Sequence, residues 1–276
     1  MRAFPETFLL LFYQLALGGL FALAATPFHE LSRGFYKSTA GVLFVVGLLG
    51  FWGKAALYGK SYSAGLDFFG WAELTLHLLF VVFFSLYLLS LWTELAIFRA
   101  RVFSLSLLTG LVGLGFSARA FSHTEFWSIE SLLYPLSFVF SALLLGAVTV
   151  GMLIGHWYLI DTGQSLDPFL RVFKFFVIAL IAQSVFLAVM PALLYILGSA
   201  ATVLSLKRLW AEHFSLLVGR FLLAQAGPLV LSAMIWRTLK IPHTMAATGL
   251  FYIALLGVFV GEILGRQILA LTSLPF

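Results

Sequence analysis

The chain has 276 residues, of which 62% are hydrophobic and 10% charged, with a formal net charge of +5 and a mean hydropathy of +1.07. That composition excludes a soluble domain of ordinary make-up, and no polar stretch is long enough to form one. Basic residues are scattered among short loops rather than clustered, which argues against nucleic acid as a partner. The absence of cysteine excludes disulfides and Cys-ligated iron–sulfur clusters within this chain.

In chain order, eight apolar runs come near the roughly 20 residues that a helix needs to cross a bilayer. They cover 8–26, 39–58, 70–92, 102–118, 131–158, 169–197, 214–236 and 245–268. The first follows Met1-Arg2-Ala3-Phe4-Pro5-Glu6 and looks superficially like a signal peptide, with Ala24-Ala25-Thr26 small enough for cleavage. Its apolar part is long for such a leader, so it is read as a retained first helix. The fourth run is the weakest, being short and holding Gly110, Gly113, Gly115 and several serines. Pro135, Pro191 and Pro228 fall within or near spans, where neighbouring helices can satisfy the freed carbonyls. The expected fold is therefore all-α: a polytopic integral membrane protein with eight transmembrane helices, forming a single helical-bundle domain over 1–276.

An even number of spans puts both termini on one side, with Arg2, Lys54, Lys60, Arg119, Lys207, Arg208 and Arg266. Arg33, Lys37, Arg99, Arg101, Arg171, Lys174, Arg237 and Lys240 fall on the other. The second group is slightly larger, and more so once Lys54 and Arg266 are set aside as intramembrane. By the positive-inside rule the termini lean to the outer side.

Ionisable and amide groups inside the spans are costly and so are candidate functional residues. Gln14 lies about two turns into helix 1, Lys54 near the end of helix 2, and Glu73 in the first turn of helix 3 with His77 one turn deeper. Arg220 lies within two turns of the start of helix 7, and Glu262 and Arg266, four residues apart, close helix 8. All seven fall in the leaflet beside the termini, and their convergence predicts a polar pocket with apolar walls, suited to a quinol. The Glu73–His77 spacing suits proton shuttling. Each residue also has a plainer reading. Arg266 and Lys54 could snorkel to the headgroups, Gln14 could serve as an interhelical hydrogen bonder, and Arg220 with Glu262 could simply hold two helices together.

Three other functions compete, one of them a purely structural membrane subunit of another complex. A haem b cytochrome needs two axial histidines at one depth. His77 and His156 are separated in depth, His213 sits at the membrane edge, and His29, His123 and His243 fall in loops. A transporter would call for inverted repeats and a charged midplane site, and neither is evident. Motifs for phosphate, zinc or acyl chemistry are absent from the sequence.

Several stretches, in order, resemble one family. They are Gln14-Leu15-Ala16-Leu17-Gly18-Gly19, Glu73 opening helix 3, Tyr134-Pro135-Leu136-Ser137-Phe138, Gly219-Arg220-Phe221 and Gly261-Glu262-Ile263-Leu264-Gly265-Arg266. Together they resemble the DmsC-type membrane anchor subunits of dimethyl-sulfoxide-reductase-like respiratory complexes, within the broader NrfD-like group. The resemblance implies a quinol-interacting anchor used in anaerobic respiration, in the cytoplasmic membrane of a bacterium or archaeon. It implies transient menaquinone or ubiquinone, no haem or iron–sulfur cluster in this chain, and surrounding membrane lipid. A ferredoxin-like iron–sulfur electron-transfer subunit and a catalytic subunit are the implied partners. One departure stands out: the family's His-Leu-Gly at the end of helix 2 is replaced by Gly50-Phe51-Trp52-Gly53-Lys54-Ala55. Either Lys54 or His77 then takes over the histidine's part, or quinol turnover is lost.

Overall fold

The computed structural model describes residues 4–28, 30–60, 67–122, 127–241 and 243–276. Met1, Arg2, Ala3, His29, His123 and the Lys60 side chain, named above, lie outside the described residues. The protein is all-α, with eight helices long and apolar enough to cross a membrane. The first six spans are single helices: α1 (Phe4–Ala24), α2 (Arg33–Lys60), α3 (Phe68–Ser90), α4 (Ala96–Arg119), α5 (Ile129–Ile160) and α6 (Asp167–Leu197). A short helix α7 (Ala200–Glu212) follows. The seventh span is α8 (Phe214–Phe221), a π-helical turn (Leu222–Ala226) and α9 (Gly227–Lys240), and the last is α10 (Thr244–Thr272).

Local sequence explains several boundaries. Asp67 caps α3 by accepting from the Gly70 amide at 2.9 Å, and Ser199 caps α7 by accepting from Thr202. Pro168 occupies the first turn of α6, where its missing N–H costs nothing. Helix α4, the weakest expectation, is a full 24 residues long. Helix α7 falls between the sixth and seventh apolar runs, where the sequence shows no span. Its Thr202, Leu206 and Leu209 are buried at helical spacing, while Lys207, Arg208 and Trp210 stay exposed. Glu130, at the start of α5, accepts from the Ser199 amide at 2.7 Å and the Thr202 hydroxyl at 2.9 Å, fastening the N-terminus of α7 to the bundle.

Helices α1 and α5 form the spine, and their spans are the most buried of the eight. They run parallel and in register: Gln14 faces Phe138, and one turn on Gly18 faces Ala142 and Gly146. A Cβ on Gly18 would stand 1.6 Å from the Ala142 carbonyl oxygen, and one on Gly146 would stand 1.8 Å from the Gly18 carbonyl carbon. Only glycine lets the backbones approach this closely, which is how helices gain packing contacts in lipid. Helices α2 and α4 pack on α1, with α3 against both of them, while α6 and α10 pack on α5, with α8 and α9 against α10. The bundle thus has two halves meeting at the α1–α5 seam. Exposed Val42, Val45, Ile178, Val185, Val230 and Ile253 present apolar surface outward, as contact with acyl chains requires.

Candidate functional site

The seven residues singled out in the sequence are all buried, from 0% exposure at Gln14 and Glu262 to 8% at Lys54. They do not meet in one pocket. They form two polar clusters, one in each half, on opposite sides of α1.

The first cluster joins α1, α2, α3 and α4. Lys54 on α2 forms an ion pair with Oε1 of Glu73 on α3, and the Tyr58 hydroxyl, one turn beyond Lys54, donates to Oε2. His77 takes other partners. Its Nε2 lies 3.0 Å from the Ser117 hydroxyl, which also reaches the Gly113 carbonyl at 3.2 Å. The His77 ring stacks on Tyr13 with centroids 3.8 Å apart, and the Tyr13 hydroxyl donates to the Gly110 carbonyl. The glycines that weakened the fourth span have a purpose here. A Cβ on Gly113 would stand 2.7 Å from the Tyr13 hydroxyl and 3.1 Å from the His77 ring.

The second cluster joins α5, α6, α8 and α10 around Glu262. Its Oε1 accepts from Arg220 at 3.1 Å and Gln183 at 2.8 Å, and its Oε2 from Ser141 at 2.9 Å and Arg266 at 3.1 Å. Arg220 also donates to the Gly261 carbonyl. The glycines of the last helix make this possible, since a Cβ on Gly265 would lie 2.8 Å from the Arg220 guanidinium and one on Gly261 would lie 2.4 Å from Cβ of Ala224. Arg266 does not snorkel: it is 1% exposed, over the Phe138 ring. Gln14 belongs beside this cluster, donating to the Phe138 carbonyl at 2.9 Å. Gln183 and Ser141 gave no sequence signal, because isolated polar residues in spans are usually interhelical bonds. The π turn, just before Gly227-Pro228, was also unanticipated. Pro228 has no N–H for a carbonyl one turn back, and such bulges commonly stand at such interruptions.

The two carboxylates differ in what can reach them. Four donors surround Glu262, two of them guanidinium groups, which is the satisfied state that a buried ionic cluster requires. Glu73 instead lines a cavity of about 310 Å³ with Tyr58, Asp67, Gly70, Arg119 and Ser122. A larger, mostly apolar cleft of about 710 Å³ runs between α4 and α5, along Val112, Gly115, Phe116, Leu132 and Pro135. Phe69, Arg119 and Ser122 line both, so the polar chamber and the apolar cleft adjoin. Tyr58 and Arg119 were not among the expected site residues. Tyr58 sits near the end of an apolar span, where tyrosine is ordinary.

Among the described residues, His156, His213 and His243 do not line this chamber. His156 is exposed on α5, 3.5 Å from the Tyr252 hydroxyl, and His213 is half-buried beside Glu212. Compared with protein-family models, curated proteins and solved structures, the chain matches none.

Proposed function

We propose that this protein is a quinol/quinone-interacting membrane anchor subunit of a respiratory oxidoreductase, passing electrons between membrane quinone and an iron–sulfur partner. The observation that carries this reading is the adjoining pair of spaces beside Glu73. A quinol has a small polar head with two ionisable hydroxyls and a long apolar tail. The chamber offers the head a carboxylate, a tyrosine hydroxyl and a guanidinium, and the α4–α5 cleft offers the tail an apolar bed. The sequence resemblance to DmsC-type anchors points the same way.

On oxidation the quinol gives up two protons and two electrons. Glu73 accepts a proton from the head group, and Lys54 and Tyr58 hold the carboxylate in place and offset its charge while it waits. Asp67 and Ser122 mark the chamber's way out, so protons leave on the side of the termini. Electrons pass to an iron–sulfur subunit docked on that same face, because a chain without cysteine supplies no thiolate for a cluster. The excess of basic residues in the opposite loops supports placing this face outside the cytoplasmic membrane. In this reading the Glu262 cluster fixes the second half of the bundle and handles no protons.

Glu73→Gln, assayed in the intact complex, tests the proposal. The expected result is loss of quinol oxidation with the subunits still assembled. Wild-type turnover in that variant would remove Glu73 from the mechanism.

A further inference from the structure

A second space lies across the bundle, at the corner where α6, α7 and α8 meet. A cavity of about 330 Å³ is bounded by Leu187, Ala188 and Pro191 of α6, by Trp210 and Phe214, and at its inner end by Arg220. An outer hollow of about 590 Å³ continues it along Ala192, Tyr195, Lys207 and Ala211, sharing Pro191 and Trp210 with the first.

The sequence explains why this corner is open. Pro191, inside α6, brings no N–H to the Leu187 carbonyl, and its ring crowds that turn. Ala188 and Ala192 flank it with single methyl groups among much larger neighbours. Helix α7 is too short to span a membrane, and its apolar stripe rests on the bundle while Lys207, Arg208 and Trp210 face out. Trp210 stacks on Phe214 with centroids 5.3 Å apart, closing one side of the groove.

We infer that this groove binds one membrane phospholipid with an anionic headgroup, its acyl chain lying in the α6–α8 cavity and its phosphate at Lys207. The inner walls are apolar apart from Arg220, whose guanidinium is turned to Glu262, so a chain of methylenes suits them better than a polar molecule. The outer hollow sets one cation at the headgroup level. Arg208 is committed to Glu212 at 2.8 Å, whereas Lys207 has no ion-pair partner among the described residues. That unsatisfied charge beside an apolar slot is the complement of an anionic lipid rather than a zwitterionic one. The site is separate from the Glu73 chamber, so its occupancy does not depend on quinol binding.

The test is native mass spectrometry of the protein released from nanodiscs of mixed phosphatidylglycerol and phosphatidylcholine. One phosphatidylglycerol per chain should be retained preferentially. Lys207→Gln should reduce that preference about fivefold, the effect of one basic residue at an anionic surface. Ala188→Trp, at an exposed position that fills the cavity without touching the core, should abolish retention of either lipid. Equal retention of both lipids by the wild type, or unchanged retention in Ala188→Trp, overturns the inference. Displacement of the retained lipid by a quinone at this corner also overturns it.

Discussion

Lys54 and Glu73, 19 residues apart on α2 and α3, form an ion pair with both side chains withdrawn from solvent. The pair joins two helices, and its carboxylate also lines the chamber beside Tyr58 and Arg119. Its two roles can be separated. Lys54→Met alone leaves a buried carboxylate without its cation and should destabilise the protein by about 3–5 kcal/mol. Lys54→Met combined with Glu73→Leu should recover most of that loss, because neither charge remains. Unfolding by denaturing detergent in a double-mutant cycle measures the coupling. The double variant should be folded and inactive with quinol.

Glu262 should behave differently. Glu262→Gln leaves Arg220 and Arg266 facing a neutral amide in a dry site, at a cost of about 3–5 kcal/mol. Its effect should appear in unfolding and expression, with activity per folded molecule close to wild type. A Glu262→Gln protein of normal stability that does not oxidise quinol would transfer the proton role to the second cluster.

The α1–α5 seam gives a packing test. Gly146→Leu sets a side chain against the backbone of Gly18, where no rotamer relieves the overlap, so folded protein should not accumulate. Gly41→Ala, at a position where an added Cβ meets nothing within 4 Å, should be neutral or stabilising by up to about 1 kcal/mol. Folded yield by size-exclusion chromatography separates the two.

On the far side, Arg33 meets Glu94 in a two-pronged pair at 2.8 and 2.7 Å. The Arg33 guanidinium holds the Glu94 carboxyl below its usual value of 4.5. Any stability from this pair is therefore present above about pH 4.5 and lost as the pH falls through the lowered value. Because Glu94 is exposed, Glu94→Gln should leave the melting temperature near wild type at neutral pH, with any difference vanishing in high salt.

Much of the fold is legible in the sequence because lipid imposes a strong rule. A spanning segment must satisfy its own backbone hydrogen bonds, so a long apolar run is read as a helix with little ambiguity. Helix α7 escapes that rule because it lies at the edge of the bundle, and its stripe of Thr202, Leu206 and Leu209 is only three residues deep. The candidate residues were visible individually, since Lys54, Glu73, Arg220, Glu262 and Arg266 are costly in apolar runs. The Arg220–Glu262 pair is legible as a helix tie and the structure contains it, but the Lys54–Glu73 pair is not, because depth along a helix says nothing of the direction a side chain faces around the bundle. Tyr13 and Gln14 show this best: adjacent in sequence, they turn to different clusters, one to His77 and the other to the Phe138 carbonyl.

The most direct measurement is photolabelling of the protein in nanodiscs with a quinone analogue carrying a photoreactive tail, with the labelled peptides identified by mass spectrometry. The account predicts labels on α4 between Val112 and Phe116 and on α5 between Leu132 and Pro135, competed by unmodified quinone and lost with Glu73→Gln. Labels confined to the α6–α8 corner, or competition unaffected by Glu73→Gln, would contradict it.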